Sequence, residues 1–172
     1  TNTETRRSLF FPAGTYRVTD SINIPPFAKL YGEGSESSII KLDATADSTV
    51  GEYVARTADS DQNIGVNIGN NGSTAPTNIS VSAMSFQTDE ATDIFLIEDA
   101  SEISIQDVTF RGPLTESNLT DASDDIACVR FSSTSALITN QVTLDMCTFT
   151  GCTYGINTND AIEGATVSNC SF

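Results

Sequence analysis

Four segments of the chain share one pattern, apolar–x–apolar–x–x–apolar–x–Phe. They are Ile79-Val81-Met84-Phe86, Ile103-Ile105-Val108-Phe110, Val142-Leu144-Cys147-Phe149 and Ala165-Val167-Cys170-Phe172. Their starts lie 24, 39 and 23 residues apart. Recurrence at such an interval is the mark of a repeat architecture. Alternation within each segment describes a strand with one buried face, and the change of phase after the second apolar residue marks a bend. A unit this short cannot close a core alone. Stacked units can, if each strand pairs with its equivalent in the next unit about 4.8 Å away. Met84, Val108, Cys147 and Cys170 then form one inward column, and Phe86, Phe110, Phe149 and Phe172 a second, aromatic one.

Composition agrees with strands. Ile and Val total 24 against 8 Leu, and Ser and Thr total 43 of 172 residues. Branched and hydroxylated side chains favour the pleated sheet. The shortage of Leu argues against leucine-rich repeats of similar period. The expected fold is therefore an all-β parallel β-helix of about six rungs, forming a single domain over 1–172. Residues 1–42 make the opening rungs, 43–78 irregular rungs and loops, and 79–172 regular rungs. The interval of 39 holds one repeat plus an insertion near 112–125, rich in Ser, Thr, Asn and Asp. The polar stretch Asp43 to Asp61 is expected to loop out, and Val66 and Ile68 to begin a further rung. An antiparallel sandwich is the alternative, but it does not explain so regular a phase.

Charge excludes several functions. Eight basic residues face 23 acidic ones, for a net charge of −15. Such a chain repels phosphate, so no nucleic-acid partner is expected. No apolar run approaches the length of a membrane span, so no membrane insertion is expected. The absence of His from the sequence removes histidine triads, histidine bases and His-ligated zinc. The charge is uneven: residues 1–41 carry five basic and four acidic groups, and the remainder three and nineteen.

Phe11-Pro12-Ala13-Gly14-Thr15-Tyr16, then Ile22-Asn23-Ile24-Pro25, Leu30-Tyr31-Gly32-Glu33-Gly34 and Ser38-Ile39-Ile40 together resemble the opening rungs of the pectate-lyase-like superfamily. The resemblance is closest to its phage tailspike and tail-fibre branch. It implies a right-handed parallel β-helix, commonly a homotrimer, that contacts other virion tail proteins and host surface polysaccharide. Members carry a longer segment before the Phe-Pro-Ala-Gly-Thr-Tyr motif, and the rung pattern stops in mid-rung at Phe172. The chain is accordingly expected to be a piece of a longer polypeptide.

Glycoside hydrolysis needs two carboxylates at a set separation. Asp124 and Asp125, at the end of the insertion and before the apolar run Ile126-Ala127-Cys128, are the foremost candidates. Ser123 to Cys128 resembles the Asp-Asp segment of pectin hydrolases of this fold. Their Asn-Thr-Asp signature has its nearest match at Asn157-Thr158-Asn159-Asp160, after the pair rather than before it. A lyase reading would use an Arg base, for which Arg111 is the candidate. Arg130, between Val129 and Phe131, should point outward and pair with an acid of a neighbouring rung. Asp89, Glu90 and Asp93 are the candidate ligands of one weak calcium site, the single cofactor suggested. Cys147 and Cys170, at one rung position, read as small buried hydrophobes rather than zinc ligands; free thiols fit assembly in a reducing cytoplasm, and a disulfide would fit a secreted protein. Tyr16, Tyr31, Tyr53 and Tyr154 are candidates for stacking on sugars.

The preferred expectation is a structural and interaction module of a virion appendage, assembled in the host cytoplasm. A polysaccharide hydrolase or lyase domain of a tailspike is the alternative, and a secreted or cell-surface adhesin a third reading.

Overall fold

The computed structural model describes residues 7–43, 53–58, 76–114, 125–133, 139–158 and 160–172. They form fifteen strands: β1 (Arg7–Phe11), β2 (Gly14–Val18), β3 (Ile22–Ile24), β4 (Ala28–Gly32), β5 (Ser38–Leu42), β6 (Tyr53–Thr57), β7 (Thr77–Thr88), β8 (Asp93–Glu98), β9 (Ser101–Arg111), β10 (Ala127–Ser132), β11 (Thr139–Asp145), β12 (Thr148–Thr150), β13 (Tyr154–Thr158), β14 (Ile162–Glu163) and β15 (Thr166–Ser168). Every pairing between them is parallel, and each joins a strand to its equivalent one coil away. One sheet runs β1-β4-β7-β9-β11-β14, with β2, β5, β12 and β15 attached along its bent edge. The second runs β3-β6-β8-β10-β13. The chain is a parallel β-helix of about six coils, as the repeat predicts.

The core lies between the sheets as columns of like side chains. Phe86, Phe110, Phe149 and Phe172 stack with ring centroids 6.1, 5.5 and 4.9 Å apart and planes within 17°. The strand register extends this column through Ile40 to Tyr16. Phe95 meets Phe86 and Phe110 edge-on from the opposite sheet, closing the layer. Met84 and Val108 are paired and buried, and Cys147 continues their column, buried beneath Cys170. Burial pushes the Cys147 thiol up to about 12, and the neighbouring Cys170 adds to the shift.

The bends within the large sheet use left-handed backbone. Ala83, Asp107, Met146 and Asn169, each at the phase change, have φ of 53–54°. A second column, Asn78, Glu102, Gln141 and Gly164, precedes the inward strand segment of each coil, also at positive φ. L-residues occupy this region at a cost, lowest for Gly, Asn and Asp. Phe27, Ala83 and Met146 accept it because the ladder hydrogen bonds on either side fix the path. Gly32 stands where Ala83 stands one coil on, with ordinary φ. A Cβ there would lie 2.3 Å from the Ala83 carbonyl oxygen.

Two expectations change. The Asp43 to Asp61 stretch is not all loop, because Tyr53–Thr57 forms β6 and bridges β3 to β8. Val54 and Ala55 are fully buried there, and that burial outweighs the polar flanks. The rung start expected at Val66 and Ile68 lies outside the described residues.

Candidate functional site

The outer surface of the second sheet concentrates the buried charge. Register places Arg56, Leu96, Arg130 and Asn157 one above another on successive coils. Alternation sends Ala55, Phe95, Val129 and Ile156 inward and this column outward. The sequence therefore predicts the direction of Arg130 correctly. It does not predict its burial, for Arg130 retains only 7 % exposure and Arg56 only 6 %. A cation so placed requires partners.

Arg130 has them across the coils. Its Nε and Nη2 donate to both oxygens of Asp93, the first residue of β8, the Nη2 contact being 3.0 Å. Nη2 also donates to the backbone carbonyl of Asp125 at 2.8 Å and to its Oδ1 at 3.4 Å. Asp93 Oδ1 accepts the Ala127 amide at 2.7 Å, which ties the start of β10 to the start of β8. The bond to Asp93 and the charges of Asp93 and Asp125 raise the Arg130 pKa against the opposing effect of burial. Arg56, two coils from Arg130, donates to Glu98 Oε2 at 3.3 Å, and its guanidinium lies 5.8 Å from the centre of the Tyr53 ring. Its buried Nε has no hydrogen-bond partner.

The candidates named from sequence separate into groups. Asp125 reaches the cluster from its rim, with a side chain 67 % exposed. Asn157 donates to its Oδ1 at 3.1 Å, so the Asp-Asp segment and the Asn-Thr-Asn-Asp segment do meet, on adjacent coils. Asp160 lies apart and accepts from Ser132 and Ser133. Asp124 lies outside the described residues. Arg111 ends β9 on the exposed surface, in the other sheet, away from Asp125. Among the calcium candidates, Asp89 pairs with Lys41, Asp93 is turned to Arg130, and Glu90 is exposed in the turn between them. Their three carboxylates do not converge. The residues that sequence reading missed are Arg56 and Glu98 as a second buried pair, and Asp93 as the partner of Arg130. An arginine inside an apolar run was the available signal; the identity of its partner was not.

Three donors are directed at Asp93 and occupy its oxygens, whereas a general acid must reach the leaving group with a proton. Asp125 is the carboxylate with access to solvent, and it shares a guanidinium nitrogen with Asp93. A cleft of about 280 Å³ is lined by Cys128, Phe149, Cys152, Gly155 and Phe172 among others. The Cys152 thiol is pushed up by its bond to Cys128 and by burial, so it stays protonated and is a poor nucleophile at neutral pH.

The whole chain, residues 1–172, matches the family model described as rhamnogalacturonase A/epimerase, pectate lyase-like. The chain belongs to the pectate lyase-like rhamnogalacturonase A/epimerase family. No curated protein and no solved structure matches it. Membership agrees with the coil and the stacked columns, and it allows a domain concerned with polysaccharide.

Proposed function

We propose that this pectate lyase-like chain is a stiff structural and interaction module of a virion appendage, a tail fibre or tailspike, that bears on host surface polysaccharide. The reading goes with assembly as a homotrimer among other tail proteins. The observation that carries it is the Asp93–Arg130–Asp125 cluster. Asp93 and Asp125 are both held by one guanidinium, which favours a scaffold over a catalyst. A coil with in-register ladders supplies stiffness, and the resemblance of the opening rungs to tailspikes supplies the context. The second reading, a polysaccharide hydrolase or lyase, is favoured by the exposure of Asp125 beside Asp93.

Incubation with purified capsular polysaccharide or lipopolysaccharide separates the two. The expected result is retention of the glycan without new reducing ends or unsaturated products. Cleavage that disappears in Asp125→Asn would overturn the scaffold reading and install the enzyme.

A further inference from the structure

The four cysteines are unpaired thiols that fall into two neighbouring couples, and the sulfurs of each couple are related differently. Cys147 and Cys170 are translation equivalents, carried by the register that joins Asp145 to Ser168 and Thr148 to Ser171. Their sulfurs face equivalent carbonyls. Cys147 Sγ lies 3.4 Å from the Asp145 oxygen and 3.7 Å from that of Ile105. Cys170 Sγ lies 3.1 Å from the Ser168 oxygen and 3.6 Å from that of Leu144. Repetition of this kind holds two sulfurs about one coil spacing apart, about 4.8 Å, against the roughly 2.05 Å of a disulfide.

Cys128 and Cys152 are not equivalents. Cys128 lies in β10 of the second sheet, and Cys152 in the turn between β12 and β13, where the chain crosses from the large sheet to the second. Both sulfurs enter the corner between the sheets. Cys128 Sγ lies 3.7 Å from the Phe110 carbonyl oxygen and 3.6 Å from that of Thr150, which precedes the turn. Cys152 Sγ is seated over Gly112 of the preceding coil, where a Cβ would lie 2.5 Å from the sulfur. The turn is fixed to that coil, because the Gly112 amide donates to the Thr150 carbonyl and the Leu114 amide to that of Gly151, each at 2.9 Å. The two thiols are hydrogen-bonded to one another and line one cleft of about 280 Å³. Cys128 is fully buried and Cys152 half-buried, so a reagent in the cleft meets Cys152 first.

We propose that Cys128 and Cys152 are an oxidative modification site, closing to a disulfide when the chain meets a small-molecule disulfide outside a reducing compartment. Two exchanges complete the reaction. The Cys152 thiolate attacks one sulfur of the reagent, the reagent S–S bond breaks, and one reagent thiolate leaves. The Cys128 thiolate then attacks Cys152 Sγ of the mixed disulfide and expels the second. The protein dithiol is oxidised, the reagent is reduced to two thiols, and the two protons released by the cysteines end on them. The bond joins residues 24 apart in the chain and staples the turn leading into β13 to β10 of the coil before. A reducing cytoplasm keeps the pair open. The bond to Cys128 and burial keep the Cys152 thiol protonated, so closure is slow at neutral pH and quickens as pH rises. The site stands whether or not the chain contacts polysaccharide.

The test incubates the reduced full chain with oxidised glutathione at pH 7 and at pH 9. The reaction is quenched with N-ethylmaleimide in denaturant and the peptides are mapped by mass spectrometry. Expected are loss of two of the four thiols, one linked peptide pair containing Cys128 and Cys152, and closure roughly tenfold or more faster at the higher pH. The melting temperature is expected to rise by roughly 5–10 °C on oxidation and to return with dithiothreitol. Cys152→Ser should abolish both the thiol loss and the rise, and Cys170→Ser should keep both. The map of the parent chain decides the pairing even where a variant fails to fold. Four alkylated thiols after oxidation, a linked Cys147–Cys170 peptide, or glutathione left on Cys152 beside a free Cys128 would each overturn the site. Linkage of Cys128 to Cys152 with no rise in melting temperature would overturn its role as a staple.

Discussion

Arg130 shows how one side chain can be placed by its strand and rescued by its neighbours. Alternation in β10 directs it out of the core, yet its surroundings bury it. Asp93, 37 residues earlier, and Asp125 then neutralise it. A pair this enclosed contributes little beyond what an apolar pair would, but removing one member strands the other. The side chains of Arg130 and Asp93 are 9 % and 11 % exposed. Arg130→Ala is therefore expected to lower stability by about 3–5 kcal/mol in urea denaturation. The double variant Arg130→Met/Asp93→Asn should recover much of that loss, since the asparagine oxygen still accepts the Ala127 amide. A single variant as stable as the parent would show that the cluster is solvated.

At the scale of the element, the inward columns and the bends do different work. The phenylalanine column contributes buried area and stacked ring contact along the four coils that carry it. Its members are not equivalent. Phe110 is fully buried between two rings, and Phe172 is 77 % exposed with a ring on one side. Phe110→Ala is expected to cost about 3–5 kcal/mol and Phe172→Ala well under half of that, read by thermal denaturation. Equal losses would contradict the column as the organising element. The left-handed bends impose the opposite kind of contribution, a local cost accepted by Phe27, Ala83 and Met146 and compensated by the ladders they join.

For the molecule as a whole, parallel stacking produces a rod whose two sheets present unlike surfaces. One outer face carries ladders of hydroxyls, with Lys29, Tyr31 and Phe10 on its first two coils. The other carries enclosed ion pairs. An acidic coat opposes nonspecific association. Light scattering on the full protein is expected to return three chain masses, as the tailspike reading requires. A single chain mass at micromolar concentration would remove the trimer from the account.

Much of the architecture was legible before any coordinate. The apolar–x–apolar–x–x–apolar–x–Phe pattern fixes which side chains face inward and where each coil bends, because strand alternation is local and the period repeats. It locates the phenylalanine column and the cysteine beneath Val108. Strand β6 was hidden because five residues with polar flanks carry too weak a period, and only pairing to β3 and β8 stabilises them. The left-handed bends were hidden as well, since Ala83, Asp107, Met146 and Asn169 share a position but no chemistry. Asp125 and Arg130 were individually visible as candidates, and Asp93 was visible for a different task. Which of them meet depends on the length of chain between coils, a non-local quantity that side-chain pattern does not encode. The sequence by itself determined the coil and its interior; the tertiary structure alone decided which charges share a coil edge, because ion pairing is a matter of register between strands far apart in the chain.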